Sequence, residues 1–292
     1  MKKTADQIAF SVISYIVISI FALFTVFPFI LLIVNSFASE HSIINYGYMF
    51  VPREIGFDAY GLIFRDPGKI ANAYGITIFI TAFGTAVSLY LASMAAYVMY
   101  RKDLKYRNGL AFFIYFTTLF NGGLASYYIV LSSNYHLKNT IWVLLMVPMF
   151  SAMNILILRN FIRGSIPDSL NESAKIDGAG DFTIFMRIIL PLSKPALASI
   201  GLFTALGYWN DWWTPMMFVE RSRLHPLQYV LYNIISSVNV SANVVSNASM
   251  VVLPQESLKL AMTVISTVPI LIAYPFVQKY FVKGITLGSV KG

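Results

Sequence analysis

Apolar runs long enough to cross a lipid bilayer recur along this chain, and they restrict its fold more than any other feature does. A transmembrane helix needs about 20 predominantly apolar residues. Six such runs are present, at residues 11–37, 71–100, 109–131, 140–160, 197–219 and 258–281. These runs predict an all-α integral membrane protein with six transmembrane helices.

The composition supports this interpretation. Of the 292 residues, 57% are hydrophobic and only 12% are charged, with a mean hydropathy of +0.67, whereas soluble domains carry about 25% charged residues. The first run has an apolar part of about 25 residues, which is longer than the 7–15 residues of a signal-peptide core, so a span is expected there. The absence of cysteine excludes disulfides and thiolate chemistry.

Charge is distributed unevenly between the two sides that six spans define. The side that holds both termini carries 14 of the 21 Lys and Arg residues, and the other side carries 7. Asp and Glu divide almost equally, 6 against 7. Because cytoplasmic loops are enriched in Lys and Arg, both termini are expected in the cytoplasm. The net charge of +8 therefore follows from membrane topology and gives no reason to expect nucleic-acid binding.

A polar segment at residues 162–195, here called the coupling stretch, lies between the fourth and fifth runs on the predicted cytoplasmic side. Its pattern predicts two short helices with a break between them. Ser169 and Glu172 have the spacing of a capping box. Gly178 is placed to end the first helix in a left-handed cap, and Asp181 is placed to cap the second. The alanines around the bend are expected to form a small knob that points away from the membrane.

The motifs of this stretch closely resemble the EAA loop of ABC importer permeases, in which Glu-Ala-Ala is followed by a Gly and by a closing Ile-x-Leu-Pro. They are Glu172-Ser173-Ala174, Asp177-Gly178-Ala179 and Ile188-Ile189-Leu190-Pro191. In that family the loop is the coupling helix, which docks in a cleft of a separate ATPase subunit. Ser173 departs from the family's second Ala but is nearly as small. The resemblance implies docking by Glu172, Ser173, Ala174, Asp177, Gly178 and Ala179.

Further motifs resemble the carbohydrate importers of the maltose type within this family. Residues 95–101, AAYVMYR, are similar to their Ala-Tyr-Ala-x-x-Arg at the end of a span, and residues 283–292 are similar to their C-terminus. Residues 120–123, FNGG, and 208–212, YWNDW, look like the subgroup that handles complex polysaccharide fragments. The resemblance covers residues 71–292. It implies a permease subunit of an ABC importer for a carbohydrate, of oligosaccharide size.

The resemblance also implies the setting of the chain. It implies a single permease domain over residues 1–292, with five core spans within 71–282, in the inner (cytoplasmic) membrane of a bacterium. The implied partners are a second homologous permease, a dimer of ATPase subunits, an extracytoplasmic solute-binding protein, membrane lipid and the sugar itself. MgATP would bind on the ATPase, and this chain would bind no cofactor.

The residue patterns themselves give no sign of an enzyme. No Gly-rich phosphate loop ending in Gly-Lys-Ser/Thr is present, so ATP hydrolysis is expected on a partner subunit. The three histidines, His41, His136 and His225, are far apart and have no metal-ligand spacing. No Gly-x-Ser-x-Gly nucleophile elbow occurs.

Polar and aromatic residues within the runs are candidates for a solute path, because aromatic rings cover the C–H faces of sugars and Asn or Asp binds their hydroxyl groups. They are Tyr208, Trp209, Asn210, Asp211 and Trp212 in the fifth run, Asn121 and Tyr127 in the third, and Asn154 in the fourth. An aromatic belt at the membrane interface is the alternative for the first group. Close helix packing and interhelical hydrogen bonds are the alternatives for the others.

Three other functions remain open at this point. An ABC permease for a peptide or polyamine would need a charged path, and the one charged path candidate is Asp211, against several aromatic residues. An ion-coupled secondary transporter would usually carry an inverted repeat and more charges within its spans. A membrane enzyme would need a catalytic constellation, which the sequence does not show.

Overall fold

The chain is helical in the part that the structure, a computed structural model, describes, which is residues 5–245 and 254–289. No strand occurs in these residues, and the one extended contact is an isolated bridge between Ala38 and Ile55. The predicted all-α class is confirmed for this part of the chain. The C-terminal motif at residues 283–292 ends outside the described residues.

The helices follow one another with short connections. In chain order they are α1 (Ala5–Asn35), α2 (Glu40–Tyr46), α3 (Asp58–Ile63), α4 (Pro67–Tyr100), α5 (Arg107–Leu119), α6 (Leu124–Ile129), α7 (Ile141–Met146), α8 (Ala152–Ser165), α9 (Asp168–Ile176), α10 (Asp181–Ile184), α11 (Leu190–Leu192), α12 (Lys194–Trp209), α13 (Trp213–Phe218), α14 (Leu227–Val245) and α15 (Gln255–Ser289). Single π-helical turns follow α6 and α10, at Val130–Asn134 and Phe185–Ile189.

Within the described residues, three helical segments are long and apolar enough to cross a membrane, judged by length and composition. They are Asp6–Asn35, Pro67–Tyr100 and Gln255–Pro275. Two bent pairs also qualify, Arg107–Leu119 with Leu124–Asn134 at 115° and Asp181–Leu192 with Lys194–Trp209 at 77°. If each bent pair is one span, the total is five. The expected number of six spans therefore stays a prediction.

The predicted fourth and fifth spans differ most from the observed helices. Residues 140–160 form two helices, α7 and α8, with a break at residues 147–151. Pro148 lies in this break and has no N–H group to continue a helix. Ser151 then begins α8 by accepting a hydrogen bond from the Asn154 N–H at 3.3 Å. In the fifth run, α12 ends at Trp209 and a separate short helix follows.

Contacts between residues divide the chain into two compact units. The first consists of Met1–Pro67 and Leu231–Pro269, and the second of Gly68–Val230 and Ile270–Gly292. The coupling stretch and all the candidate path residues belong to the second unit. The single permease domain expected from the sequence stays a prediction.

In the first unit, hydrogen bonds to Glu40 connect α2 to the start of α15. Its side chain is buried, and the carboxylate accepts hydrogen bonds from the backbone N–H groups of Glu256 and Ser257, each at 2.9 Å. The hydroxyl group of Ser257 donates a third, at 2.8 Å. The first N–H groups of a helix have no partner within the helix, and a negative charge is favourable there. Glu40 therefore accepts hydrogen bonds from backbone N–H groups that have no partner within α15.

Buried apolar clusters hold the second unit together, and two of them support the candidate sites. The Tyr97 cluster joins the end of α4 to α8, α10 and α12, and its members are Ala96, Tyr97, Tyr100, Leu158, Ile162, Ile166, Ile184, Phe185, Ile189 and Ile200. The Tyr208 cluster joins α4, α7, α12 and α13, and its members are Ile80, Val143, Leu144, Leu145, Tyr208, Phe218 and Val219. The coupling stretch packs against the first cluster, and the path candidate Tyr208 belongs to the second.

Candidate coupling surface and solute path

The bend in the coupling stretch is a left-handed helix cap. Gly178 has a φ of +78°, a conformation that glycine adopts without strain. The Ala179 N–H donates to the Ala174 carbonyl at 2.9 Å, and the Gly178 N–H donates to the Lys175 carbonyl at 3.0 Å. These two hydrogen bonds define a Schellman motif. The predicted glycine bend between two helices is confirmed.

The predicted N-terminal caps of the two helices are wrong. α9 begins at Asp168 rather than after Ser169, because Pro167, with φ −61° and ψ 137°, already fixes the extended residue before the helix. The capping box that begins at Ser169 is therefore not formed. Asp181 follows the capping position, which Gly180 occupies, and its carboxylate forms an ion pair with Arg101 at 2.6 Å.

The small residues around the bend face inward, so the expected outward knob of alanines is also wrong. Ala174 and Ala179 are partly buried against the Tyr97 cluster. Small side chains allow the backbone of α9 to approach that cluster closely, which is why alanine suits these positions. The exposed face of the bend includes Glu172, Ser173, Ile176, Asp177 and Gly178. Sequence reasoning missed Ile176, whose side chain is 86% exposed.

Ion pairs connect the coupling stretch to the loop that follows α4. Arg101 lies between two carboxylates, donating from Nε to Asp103 at 3.0 Å and pairing with Asp181 at 2.6 Å. Lys175 of α9 also pairs with Asp103, at 2.9 Å. Hydrogen bonds from Arg101 and then from Lys175 hold the pKa of Asp103 far below its usual range. Asp103 thus holds α9 through Lys175, while Arg101 holds α10 through Asp181, so one loop is linked to both helices of the coupling stretch.

A second connection lies at the start of α9. Asp168 forms an ion pair with Lys102 and accepts a hydrogen bond from the Tyr100 hydroxyl group at 2.8 Å. The pKa of Asp168 is lowered, first by Lys102 and then by Tyr100. Residues 100–103, at the end of α4 and just after it, thereby hold both the start of α9 and the bend of the coupling stretch. Nothing in the local sequence pattern showed these pairs, because their partners are about 70–80 residues apart.

Two of the aromatic candidates in the fifth run do not line an open path. Tyr208 is fully buried in its cluster, and its hydroxyl group donates to the Leu145 carbonyl at 2.6 Å. Its ring lies against the backbone of Gly84, where an added Cβ would come within 2.5 Å of the ring. Trp209 is 9% exposed. The path prediction for Tyr208 is wrong, since the ring packs three helices together.

The polar residues that follow are more accessible. Asn210 is exposed, and its side-chain oxygen accepts a hydrogen bond from the Gln228 amide at 3.1 Å. Asp211 is partly exposed and accepts from the Thr214 N–H at 2.9 Å, so one of its oxygens holds the start of α13. Trp212 is 41% exposed. The structure therefore brings two amides, a carboxylate and an indole to one end of α12, and Gln228 is a residue that sequence reasoning missed.

The other path candidates have structural partners. Asn121 accepts a hydrogen bond from the Gly123 N–H at 2.9 Å, and Gly123 has a φ of +85°. These two residues lie in the sharp bend of 115° between α5 and α6. Tyr127 is 38% exposed beyond that bend. Asn154 donates to the Thr204 hydroxyl group at 3.3 Å across α8 and α12, which is the interhelical hydrogen bond that the sequence offered as the alternative.

The described residues contain no group of three or more His, Asp or Glu side chains that could hold a metal ion. The chemistry that this arrangement supports is non-covalent. It consists of an exposed bend for contact with another protein and a cluster of hydrogen-bonding groups at the end of α12.

Comparisons with known proteins agree with this arrangement. Residues 88–287 match the family described as binding-protein-dependent transport system inner membrane component. The chain is 40% identical over 284 residues to the polygalacturonan/rhamnogalacturonan transport system permease protein YtcP of Bacillus subtilis (strain 168), covering 97% of this chain and 98% of the relative. It is 38% identical over 268 residues to protein LplC of the same strain, covering 92% and 90%.

A solved structure is similar over the same length. It is the crystal structure of a bacterial ABC transporter involved in the import of the acidic polysaccharide alginate, with 30% identity and a TM-score of 0.76, covering 96% of this chain and 99% of the matched chain. In this family ATP hydrolysis is carried out by a separate subunit. The chain belongs to the binding-protein-dependent transport system inner membrane components, the permease subunits of ABC importers.

Proposed function

We propose that this permease imports an oligosaccharide derived from an acidic polysaccharide. The observation that carries the proposal is the 40% identity, over nearly the whole of both chains, to a permease named for polygalacturonan and rhamnogalacturonan. The structural relative named for alginate import supports the same substrate class. Asn210, Gln228 and Trp212 offer the amide and aromatic groups that bind sugar hydroxyl groups and C–H faces. A second, homologous permease would complete the path.

The proposed topology places the coupling stretch and both termini in the cytoplasm of a bacterium, with the chain in the inner membrane. The excess of Lys and Arg, 14 against 7, supports this orientation. A dimer of ATPase subunits would then lie below the bend, and an extracytoplasmic binding protein would deliver the sugar from the other side. MgATP would bind to the ATPase alone.

The exposed face of the bend is the proposed contact with the ATPase. Ile176 is a large apolar side chain that is 86% exposed in a stretch held by ion pairs to the α4–α5 loop. Glu172, Ser173, Asp177 and Gly178 surround it. Closure of the ATPase dimer on ATP would move the two bends of the permease pair together and favour the outward-open state. Contacts that differ between the two states are what shifts such an equilibrium.

An uptake assay tests the substrate class. Cells that lack this gene are expected to lose uptake of labelled oligogalacturonides and to regain it with the wild-type gene. Asn210→Ala is expected to lower uptake about tenfold, because a hydrogen bond to an uncharged sugar group contributes about 0.5–1.5 kcal/mol and the Gln228 amide loses its partner as well. Asn160→Ala, a change of the same type at an exposed position of α8, serves as the control.

Two outcomes of this assay would contradict the proposal. Normal uptake of oligogalacturonides by the deletion strain, with loss of peptide or polyamine uptake, would assign the permease to another solute. Equal uptake by the Asn210→Ala and Asn160→Ala variants would remove the end of α12 from the path while leaving the substrate class unchanged.

Replacing Ile176 by serine is expected to weaken binding of the ATPase by about 10- to 100-fold. Burying an isoleucine side chain contributes about 1.5–3 kcal/mol, and the contact would lose that contribution. The fold is expected to persist, because the side chain is 86% exposed in the isolated chain and exposed substitutions change stability by only about 0.5 kcal/mol. Co-purification of the ATPase from detergent, titrated against added ATPase, measures the effect.

The matched control for this prediction is Ile55→Ser. Ile55 is 71% exposed and belongs to the first unit, far along the chain from the coupling stretch. The control is expected to retain the ATPase like the wild type. Equal retention by both variants would show that Ile176 is not part of the docking contact.

A further inference from the structure

A strongly cationic cleft lies beside the coupling stretch, and its arginines play no part in the function described above. It has a volume of about 310 Å³ and is lined by Lys102, Arg107, Arg159 and Arg163, and Asp168 is the only carboxylate among the described residues that line it. The four cations and one anion give the lining a net charge of +3. The cations come from three segments of the chain, the loop after α4, the start of α5 and the last turns of α8.

The carboxylate in the cleft is already engaged. Asp168 pairs with Lys102 and accepts the Tyr100 hydroxyl hydrogen bond. Among the described residues, no carboxylate lies within ion-pair distance of Arg107, Arg159 or Arg163. The three arginines therefore face one cleft without forming an ion pair in the described part of the chain, and the one carboxylate near them, Asp168, is already paired with Lys102.

The contacts of Arg159 show how the site is built. This side chain is partly buried, and its guanidinium group donates only to neutral acceptors, the Met99 carbonyl at 3.3 Å and the Asn108 side-chain oxygen at 3.4 Å. Both distances are long for hydrogen bonds to a cation, which are usually about 2.7–2.9 Å. Arginines concentrated in this way repel one another and favour an anion, and the planar guanidinium group suits the paired oxygens of a phosphate.

The surroundings of the cleft indicate where that phosphate comes from. Arg107 and Asn108 begin α5, which together with the following helix is long and apolar enough to be a bent membrane span. In the next turn and a half, Leu110, Phe112 and Phe113 are 42%, 64% and 66% exposed. If the phosphate belonged to a phospholipid and were held at the first turn of this helix, the acyl chains of the lipid would lie beside these apolar side chains. Basic pockets at the cytoplasmic ends of spans are suited to anionic lipid headgroups.

We propose that this cleft binds the phosphate group of an anionic phospholipid in the cytoplasmic leaflet. The lipid neutralises Arg107, Arg159 and Arg163 and lies against the start of α5. The proposal goes beyond sugar transport and depends only on the orientation of the chain in the membrane. Because Lys102 and Asp168 connect the cleft to the start of α9, the bound headgroup lies next to the base of the coupling stretch.

Lipid binding to the full-length chain, purified in detergent together with its partner subunits, tests the proposal. Short-chain phosphatidylglycerol, phosphatidylcholine and inorganic phosphate are the three probes, and native mass spectrometry gives their apparent dissociation constants. Phosphatidylglycerol is expected to bind in preference to phosphatidylcholine. The double variant Arg159→Gln/Arg163→Gln is expected to lose roughly 30-fold in affinity for phosphatidylglycerol, at about fivefold for each charge removed.

Control variants distinguish the loss of this site from a general loss of positive charge and from misfolding. Lys105→Gln/Arg187→Gln removes two charges from exposed positions outside the cleft and is expected to bind within about twofold of the wild type. Arg163→Gln alone alters only an exposed side chain and is expected to lose about fivefold. Arg159→Lys/Arg163→Lys keeps both charges and is expected to retain most of the affinity.

Three results would overturn the proposal. The first is an equal affinity for phosphatidylglycerol in Arg159→Gln/Arg163→Gln and in Lys105→Gln/Arg187→Gln. The second is inorganic phosphate that binds as tightly as phosphatidylglycerol, which would assign the cleft to a soluble anion. The third is loss of the ATPase from Arg159→Gln/Arg163→Gln with phosphatidylglycerol binding unchanged, which would assign the arginines to a protein contact.

Discussion

Replacing Gly84 by valine is expected to push α4 away from α12 and to destabilise the second unit. A Cβ atom at Gly84 would lie 2.5 Å from Cζ and 2.7 Å from Cε1 of Tyr208, distances at which one of the two residues has to move. The ring has no room to move, because Tyr208 is fully buried and its hydroxyl group is bonded to the Leu145 carbonyl at 2.6 Å. Overpacking of this kind destabilises by about 1–3 kcal/mol, and loss of the buried hydrogen bond adds about 1–3 kcal/mol.

Thermal unfolding of the detergent-purified subunit, followed by tryptophan fluorescence and size-exclusion chromatography, measures this effect. A lowering of the melting temperature by roughly 10 °C corresponds to a loss of about 3 kcal/mol in a chain of this size. Gly75→Val is the matched control, because Gly75 lies on the same helix with nothing within 4 Å of its added Cβ. If both valine variants melted at the same temperature, the contact between Gly84 and Tyr208 would not hold the two helices together.

The bend of the coupling stretch was predictable because its signal is local. Gly178 ends a short amphipathic pattern, and glycine is the residue that adopts a positive φ without strain, so position and conformation follow from a few neighbouring residues. The direction in which Ala174 and Ala179 face was not predictable. A small residue suits a cleft in a partner and close packing within its own chain equally well, and only the Tyr97 cluster decides between them.

Contacts between distant segments explain the remaining differences. The ion pair of Arg101 with Asp181 and the hydrogen bond of Asn154 with Thr204 join residues about 50–80 positions apart, and no local pattern encodes them. Hydropathy likewise could not locate the break at Pro148, because the residues on both sides of it are apolar. Tyr208 looked like a sugar-binding aromatic residue for the same reason, since its partner at Gly84 belongs to another helix.

Replacing Gly178 by aspartate is expected to abolish transport and to weaken binding of the ATPase, while the second permease still co-purifies. Gly178 has a φ of +78° at the exposed centre of the bend. A side chain there adds backbone strain of order 1 kcal/mol. The larger effect comes from the new carboxylate beside Asp177, which would be buried without a partner when the ATPase docks, at a cost of several kcal/mol. Sugar uptake and a pull-down of the complex measure the two defects.

Two variants separate the charge from the backbone conformation. Gly178→Asn has a side chain of the same size that tolerates a positive φ without adding charge, so it is expected to keep a large part of uptake. Gly180→Asp places the same charge two residues away, where φ is −70° and open space surrounds the position, so it is expected to fold normally and to transport better than Gly178→Asp. Because none of the three substitutions lies in a candidate span, the chain is expected to insert into the membrane equally well in all three variants. Full transport with ATPase binding in Gly178→Asp would mean that the bend does not contact the ATPase, and docking would then have to be sought on another face of the coupling stretch.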